Sequence, residues 1–434
     1  MKQYEPTLPT IHKDALDRAV SRARRRLVPF LLLMYVISFL DRANIGFARQ
    51  ALQVHAGITP KVYALAAGLF FVTYALFELP SNLILHRVGA RFWMARIMVT
   101  WGIVSMATML VEGSRSFYVL RLLLGAAEAG FFPGVLLYLT YWFPRRTRAE
   151  IFGLFYLGAP LAFIFGGPVS GLLLEMHPRW SLEGWQWMFL VEGGLAVVVG
   201  LWSYRYLENR PADASWLPPD EKRALAEALA HEESNRDSRS SFQLISSLCD
   251  RNILQFVLIY FLIQMSVYGV VFYLPSEVAA ILHRPTGVAV GVVSAIPWMG
   301  AIVATLWLPR LTTRLHQHRT NAALIMLVAS LASFLFPVAG PRVALIALCI
   351  AASGFIAVQP IFWTFPTSYL TDRAAAGGLA VINALGAVGG FAAPNIKVWA
   401  DVRFASPRAG LFVLASATLL CAMLIARLSL RQES

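Results

Sequence analysis

Asp41 and Arg42 set an acid beside a base within an apolar stretch: residues 27–40 carry no charge, and the apolar pattern resumes with Ala43-Asn44-Ile45-Gly46-Phe47. Inside a membrane such charges are costly, and they serve to bind ions, to carry protons or to pair with one another. A second constellation, Arg121, Gly125 and Glu128, is spaced i, i+4, i+7 and so lies along one helical face. The chemistry open to these residues is recognition of an anion by arginine and proton exchange at a buried carboxyl. Glu128 has no base in its own stretch nearer than Arg121, two turns away, which suits a proton carrier. The alternatives are that Asp41 and Arg42 end a helix in water, or that an Arg121–Asp41 pair is purely structural.

Membrane helices must position these residues. Hydrophobic residues make up 58% of the 434 and charged residues only 14%, with a mean hydropathy of +0.61; soluble chains carry about 25% charged residues. Twelve runs of spanning length, about 20 residues each, fall at 27–47, 62–85, 92–111, 117–143, 151–174, 187–207, 253–280, 288–308, 322–338, 343–367, 378–400 and 411–428. The run at 322–338 is the shortest-looking signal. One long polar interruption, rich in charge and carrying Pro211, Pro218 and Pro219, divides the runs six and six. The fold class expected is therefore an all-α membrane protein of two pseudo-symmetric six-helix bundles. Its parts are an N-terminal segment 1–26, a bundle 27–207, a central loop 208–251 with a charged surface helix near 220–233, a second bundle 252–428 and a tail 429–434.

Net charge is +13, but the bases fall in short clusters between the runs: Arg22 to Arg26, Arg87, Arg91, Arg145, Arg146, Arg148, Lys222, Arg223, Arg251, Arg310, Arg314, Arg319 and Arg431 share one side. That distribution reads as topology, with lipid and not nucleic acid as the surroundings, and it places both termini and the central loop in the cytoplasm. Cys249, Cys349 and Cys421 match neither a disulfide framework nor a metal spacing and read as structural. The arginines before the first run resemble a signal sequence, yet the run is long and no small-residue cleavage site follows, so a retained helix is expected.

Depth counting at about 1.5 Å per residue puts Asp41 roughly 21 Å from the cytoplasmic side, Arg121 about 6 Å and Glu128 about 16 Å from the other side. Asp41, Arg42 and Arg121 then share the outer half, with Glu128 near the midplane and an Arg121–Asp41 pair within reach. Tyr74 and Glu78, one turn apart in the second run, continue the polar stripe, with Glu78 placed for a gate ion pair. Gly158-Ala159-Pro160 and Gly166-Gly167-Pro168-Val169-Ser170-Gly171 in the fifth run permit close packing. The second half offers amides and aromatics in place of charge: Gln264 with Tyr268, Gln359 with Trp363, and Asn383. Trp363 and Asn383 come out at similar depth, although Trp363 also fits an interfacial anchor. Lys397 lies near the outer end and is expected to snorkel.

Together these features resemble the major facilitator superfamily, in which two six-helix halves rock about a midplane site. Pro80-Ser81-Asn82-Leu83-Ile84-Leu85-His86-Arg87-Val88-Gly89-Ala90-Arg91 is similar to its signature loop, departing in Asn82 for the first glycine and His86 for the acid. Leu308-Pro309-Arg310-Leu311-Thr312-Thr313-Arg314 is a more degenerate copy, with Thr313 where an acid is usual. The variant loop, Leu40-Asp41-Arg42-Ala43-Asn44-Ile45 and Ala374-Ala375-Ala376-Gly377-Gly378-Leu379-Ala380-Val381-Ile382-Asn383 resemble the anion:cation symporter family in combination. Its members include bacterial tartrate, phthalate, sugar-acid and hydroxyphenylacetate permeases. The resemblance implies proton-driven uptake of a carboxylate and a monomer. It assigns proton coupling to Asp41 and Glu128, a substrate cavity to Arg42, Arg121, Tyr74, Trp363 and Asn383, and gating to the loop with Arg87 and Arg91.

The expectation is a bacterial inner-membrane symporter that clamps a small organic anion with Arg42 or Arg121 and bonds it through Tyr74, Gln359 and Asn383. Glu78, Arg87 and Arg91 gate it, and no metal or cofactor takes part beyond the proton gradient. A proton-coupled exporter is the alternative, because Gly167-Pro168-Val169-Ser170-Gly171 partly resembles the superfamily's antiporter element. A sensor that binds without transporting is a further one. An intramembrane enzyme is disfavoured, since His12, His55, His86, His177, His231, His283, His316 and His318 stand in loops or at run ends. Pro160, Leu161, Ala162 and Phe163 bring no hydrogen-bonding side chain to the middle of the fifth run, which favours a smaller or aromatic carboxylate over a many-hydroxyl sugar acid.

Overall fold

Twelve apolar helices long enough to cross a membrane follow one another in a computed structural model that describes residues 10–176, 180–234, 250–315, 317–370 and 373–428. The tail 429–434 with Arg431, and also Cys249, His177 and His316, lie outside the described residues. So do the side chains of His12, Thr313 and 373–377. The spans are Asp14–His55, Pro60–Val88, Ala90–Leu110, Ser114–Trp142, Arg145–Leu174, Gly184–Tyr206, Arg251–Leu282, Val288–Thr312, His318–Val338, Pro341–Tyr369, Gly378–Arg403 and Ala409–Ala426, numbered first to twelfth below. They form an all-α membrane protein of two pseudo-symmetric six-helix bundles.

Local chemistry explains where the helices start and break. Thr59 Oγ1 accepts from Val62 N at 3.3 Å ahead of Pro60, and Asp250 Oδ1 accepts from Asn252 N at 2.7 Å, so each side chain caps an otherwise unsatisfied N-terminus. The fourth span is two helices, Ser114–Glu128 and Phe131–Trp142, parted at Gly130, whose φ of +85° is the left-handed region glycine favours. The fifth is likewise interrupted at Leu157, and its counterpart in the other half, the eleventh, at Val388. That shared interruption is a structural trace of the repeat.

The first helix reaches beyond the run expected for it, covering Thr10–His55. Ala15, Leu16, Ala19 and Ala23 are buried there. The surface helix Pro219–Ser234 packs on this extension, with Glu221 bonding Arg22 at 2.9 Å, and Glu232 bonding Arg148 at 3.0 Å. Part of the basic clustering is thus paired within the protein. The face bearing these elements is called the basic face below.

Contacts between the halves gather from the midplane to the face opposite. A Cβ on Gly167 of the fifth span would stand 2.6 Å from the Gly291 carbonyl oxygen, so the fifth and eighth spans meet backbone to backbone. Such packing accounts for the glycines of the antiporter-like element. Tyr63 Oη donates to Ile45 O at 3.2 Å and lies 3.4 Å from Phe272 O. Glu175 Oε1 accepts from Val288 N at 2.9 Å, and Asn395 Nδ2 donates to Ala64 O at 3.2 Å.

Candidate functional site

Successive residues of a helix point about 100° apart, and this separates Asp41 from Arg42. Tyr35, Phe39 and Arg42 face a cavity of about 60 Å³ between the halves, which Phe71, Tyr74, Phe132, Tyr156, Tyr260, Gln264, Tyr268, Gln359 and Asn383 also line. Asp41 and Asn44, spaced i, i+3, turn instead into the N-terminal bundle, where Asp41 Oδ1 accepts from Asn44 Nδ2 at 3.0 Å and from Ser105 Oγ.

Arg42 bonds neither Asp41 nor an open cavity. Its guanidinium grips Glu128 through Nη2 at 2.6 Å and Nε at 2.8 Å, and it donates from Nη1 to Tyr268 Oη of the seventh span at 3.0 Å. Ser38 Oγ gives Glu128 a further bond at 2.7 Å. The Arg42 and Glu128 side chains are only 10% and 1% exposed, so the pair is largely withdrawn from water and breaking it from one side would leave a buried charge uncompensated. Phe39, Phe70 and Tyr74 ring the guanidinium, their centroids 4.9 to 5.3 Å from Cζ, which adds cation–π attraction. Glu128 therefore has a basic partner after all, supplied from the first span. Depth counting missed it because a long arginine side chain spans the difference in level between the two backbones.

Arg121 is placed otherwise than expected. It is buried, donates from Nε to Ala66 O at 3.4 Å and lies 5.0 Å from the Phe70 centroid, but it does not line the cavity and makes no ion pair with Asp41 among the described residues. Gly125 does allow close approach, since a Cβ there would collide with the Phe70 carbonyl and Thr73 Oγ1.

From the C-terminal half, Gln359 and Asn383 line the cavity, whereas Trp363 stands one layer back with its ring 5.0 Å from that of Tyr260. Sequence reasoning missed Tyr35, Tyr156 and Tyr260, because tyrosine in an apolar run reads as an interfacial anchor. Position was a signal for Tyr35 and Tyr260, which lie about two turns inside their runs, but not for Tyr156, which is nearer the start of its run.

Of the residues expected to gate, Glu78 touches the other half, though not through an ion pair: its Oε1 accepts from Asn383 Nδ2 at 2.6 Å on the basic-face side of the cavity. Arg91 stays within the N-terminal half, donating from Nε to the Tyr204 carbonyl and from its backbone N to Asn209 Oδ1 at 3.0 Å. Arg87 is exposed. His86, at the position where the signature loop has an acid, meets Tyr141 Oη at 3.1 Å. Lys397 is buried and bonds Asp401 at 2.9 Å, and does not snorkel.

The sequence profile described as the Major Facilitator Superfamily matches residues 31–394. The inner membrane transport protein RhmT of Escherichia coli is 44% identical over 94% of this chain and 95% of its own. A protein of Agrobacterium vitis named for tartrate transport is 39% identical over 95% of this chain and 92% of its own. In structure, the partially occluded inward-open form of the xylose transporter XylE from E. coli superposes with a TM-score of 0.72 at 13% identity, covering 94% of this chain and 98% of that one. These are all transporters and not enzymes. The chain belongs to the major facilitator superfamily, among transporters of the anion:cation symporter type.

Proposed function

We propose that the protein is a proton-coupled symporter that imports a small organic carboxylate across the bacterial inner membrane by alternating access, with the basic face in the cytoplasm. The observation that carries this reading is the bond from Arg42 to Glu128 at the cavity wall. A carboxylate already fills the position a substrate carboxylate would take. Protonation of Glu128 removes the charge that holds the guanidinium, and Arg42, still anchored to Tyr268, is then free to clamp an incoming anion. Proton and anion thus arrive together and the buried site stays balanced, as a low-dielectric interior requires.

Tyr74, Gln264, Gln359 and Asn383 supply hydrogen bonds around the clamp. The aromatic rings of Tyr35, Phe39, Phe71, Phe132 and Tyr260 leave little room for a large or heavily hydroxylated solute. Asp41 is a second proton site, set behind the cavity wall. Arg121 acts on Asp41 and not on substrate, and Trp363 acts through Tyr260. Glu78 with Asn383 forms a latch toward the basic face, while Arg87 and Arg91 shape the loop between the second and third spans. The protein works as a monomer, without a cofactor, on the proton gradient. The relative named for tartrate transport supports a carboxylate as cargo, and the positive-inside rule supports the orientation.

Uptake of radiolabelled carboxylates by cells expressing the protein, with acid imposed outside, tests the reading. Wild-type protein is expected to accumulate at least one member of the panel in proportion to the gradient. Glu128→Gln is expected to exchange that solute without accumulating it, and undiminished accumulation by this variant would sink the proposal.

A further inference from the structure

Arg49 stands two turns beyond Arg42 on the first span, toward the face opposite the basic one, and its guanidinium bonds no acceptor among the described residues. Two rings hold it instead, with Cζ 4.8 Å from the Tyr273 centroid and 5.4 Å from that of Tyr63. The rings meet edge to face and are fixed by backbone, Tyr63 Oη donating to Ile45 O at 3.2 Å and Tyr273 Oη to Pro394 O at 3.4 Å. Arg49 Nε is nonetheless buried without a partner. A cation oriented by aromatic rings but given no anion is preorganised for one that arrives from outside the chain.

Arg49 faces a cavity of about 490 Å³ at the seam between the halves, which Gln50, Gln53, His283, Arg284 and Thr286 also line. His283 ends the helix of the seventh span in the left-handed conformation, φ +51°, and the chain returns to the first span, where Gln50 Oε1 accepts from Thr286 N at 3.4 Å. Among the described residues no acid lines this cavity. The acids of the neighbouring elements are engaged elsewhere: Glu175 accepts from Val288 N at 2.9 Å, and Asp401 is bonded by Lys397 at 2.9 Å. Glu277, one turn from Tyr273, lines a separate cavity of about 50 Å³ inside the C-terminal half. Two arginines from opposite halves therefore share one open cavity without a carboxylate of the protein's own, and the guanidinium fork matches the two oxygens of an incoming one.

Arg42, Gly46 and Arg49 are spaced i, i+4, i+7 and so lie along one face of the first span, the two arginines about 10 Å apart along its axis. Between them the route is shut. A Cβ on Gly46 would stand 3.0 Å from the Val271 carbonyl oxygen, so the first and seventh spans meet there backbone to backbone. The Arg49 cavity lies outside this closure and the Arg42 clamp inside it. We propose that Arg49 and Arg284 form an outer binding site for a carboxylate, which passes along this face to Arg42 when the halves part at Gly46. The inference rests on the carboxylate-import reading above and adds a second site to it. Cations at the mouth also concentrate anions there. An open cavity of this width reads the charge and plane of a carboxylate group and little of the rest of the solute.

Binding at the outer site is tested without transport. Purified full-length protein is treated with phenylglyoxal, an arginine-selective reagent, and modification of Arg49 is followed by mass spectrometry with and without tartrate or benzoate. Either carboxylate is expected to slow the modification several-fold, and sodium chloride at equal ionic strength is not. Arg284→Gln, a change at an exposed position, is expected to remove the protection. No protection, equal protection by chloride, or full protection in Arg284→Gln would overturn the site. The role in entry is read from uptake by proteoliposomes. Arg49→Gln is expected to raise the external KM for the transported carboxylate roughly tenfold with Vmax retained, and to flatten the dependence of KM on external salt, which a packing role alone would leave in place. Arg284→Gln is expected to do the same in smaller measure, and it keeps the test decisive if Arg49→Gln does not fold. A wild-type KM with undiminished salt dependence in these variants would overturn the entry role while leaving import through Arg42 intact. Protection of Arg49 in a protein that takes up no carboxylate would contradict the import reading and leave the outer binding site standing.

Discussion

The two walls of the central cavity are made of different chemistry. The N-terminal wall carries its ionisable groups, with Arg42 held by Glu128, which Ser38 also bonds, Glu78 at its edge and Asp41 behind it. The C-terminal wall is Tyr260, Gln264, Tyr268, Gln359 and Asn383, aromatic rings and neutral polar groups without a charge. Charge confined to one wall means that protonation changes the grip on the anion from one side only. The neutral wall can then close on the solute without titrating. Among the described residues, Tyr268 and Asn383 bond directly across the walls, to Arg42 at 3.0 Å and to Glu78 at 2.6 Å.

If that division holds, the largest effect belongs to Arg42. Arg42→Ala leaves Glu128 buried and unpaired, at a cost of about 3–5 kcal/mol, and is expected to abolish uptake and lower the thermal unfolding temperature of the purified protein. Arg42→Lys should fall well short of rescue, because an ammonium cannot reproduce the fork that serves Glu128 and Tyr268 together. Next comes Glu128→Gln, expected to cut pH-driven accumulation by about tenfold or more while counterflow persists; one protonation state differing by 1.4 kcal/mol already corresponds to that factor.

A smaller effect is expected at the bond between the walls. Asn383→Leu deprives Glu78 of its donor and leaves a buried acceptor unsatisfied, a loss of about 1–3 kcal/mol. A cysteine introduced at Ala387 should then react faster with a thiol reagent applied from the basic face, and unchanged labelling would remove Glu78 and Asn383 from the gate. Smallest is Gln359→Ala, expected to raise KM about fivefold for about 1 kcal/mol of lost hydrogen bonding, with the pH profile unmoved. A displaced pH profile in that variant would break the contrast between the walls.

The spans were legible in the sequence because each needs about 20 apolar residues, and even the doubtful run at 322–338 forms a helix, His318–Leu335, that a 3₁₀ turn extends to Val338. The participants at the site were also legible, since charge inside an apolar run stands out at Asp41, Arg42, Arg121 and Glu128. Their pairing was not. Adjacency in sequence hid the angle that sends Asp41 and Arg42 to different faces, and contact with Glu128 depends on how the first and fourth spans pack. Glu192, buried in the sixth span, was overlooked because it has no charged neighbour at helical spacing; its partner Ser170 comes from another span. Arg91 resembled a gate by motif, but its bonds run to the sixth span and the loop after it within its own half.

The central claim is that protonation of Glu128 hands Arg42 to a substrate carboxylate, so proton and anion must move together. Proteoliposomes loaded with a pH-sensitive dye and exposed in turn to a panel of carboxylates, tartrate among them, test it most directly. The expected result is internal acidification on addition of at least one carboxylate to wild-type vesicles, absent with Glu128→Gln. Net uptake of a carboxylate by wild-type vesicles with no accompanying acidification would contradict it.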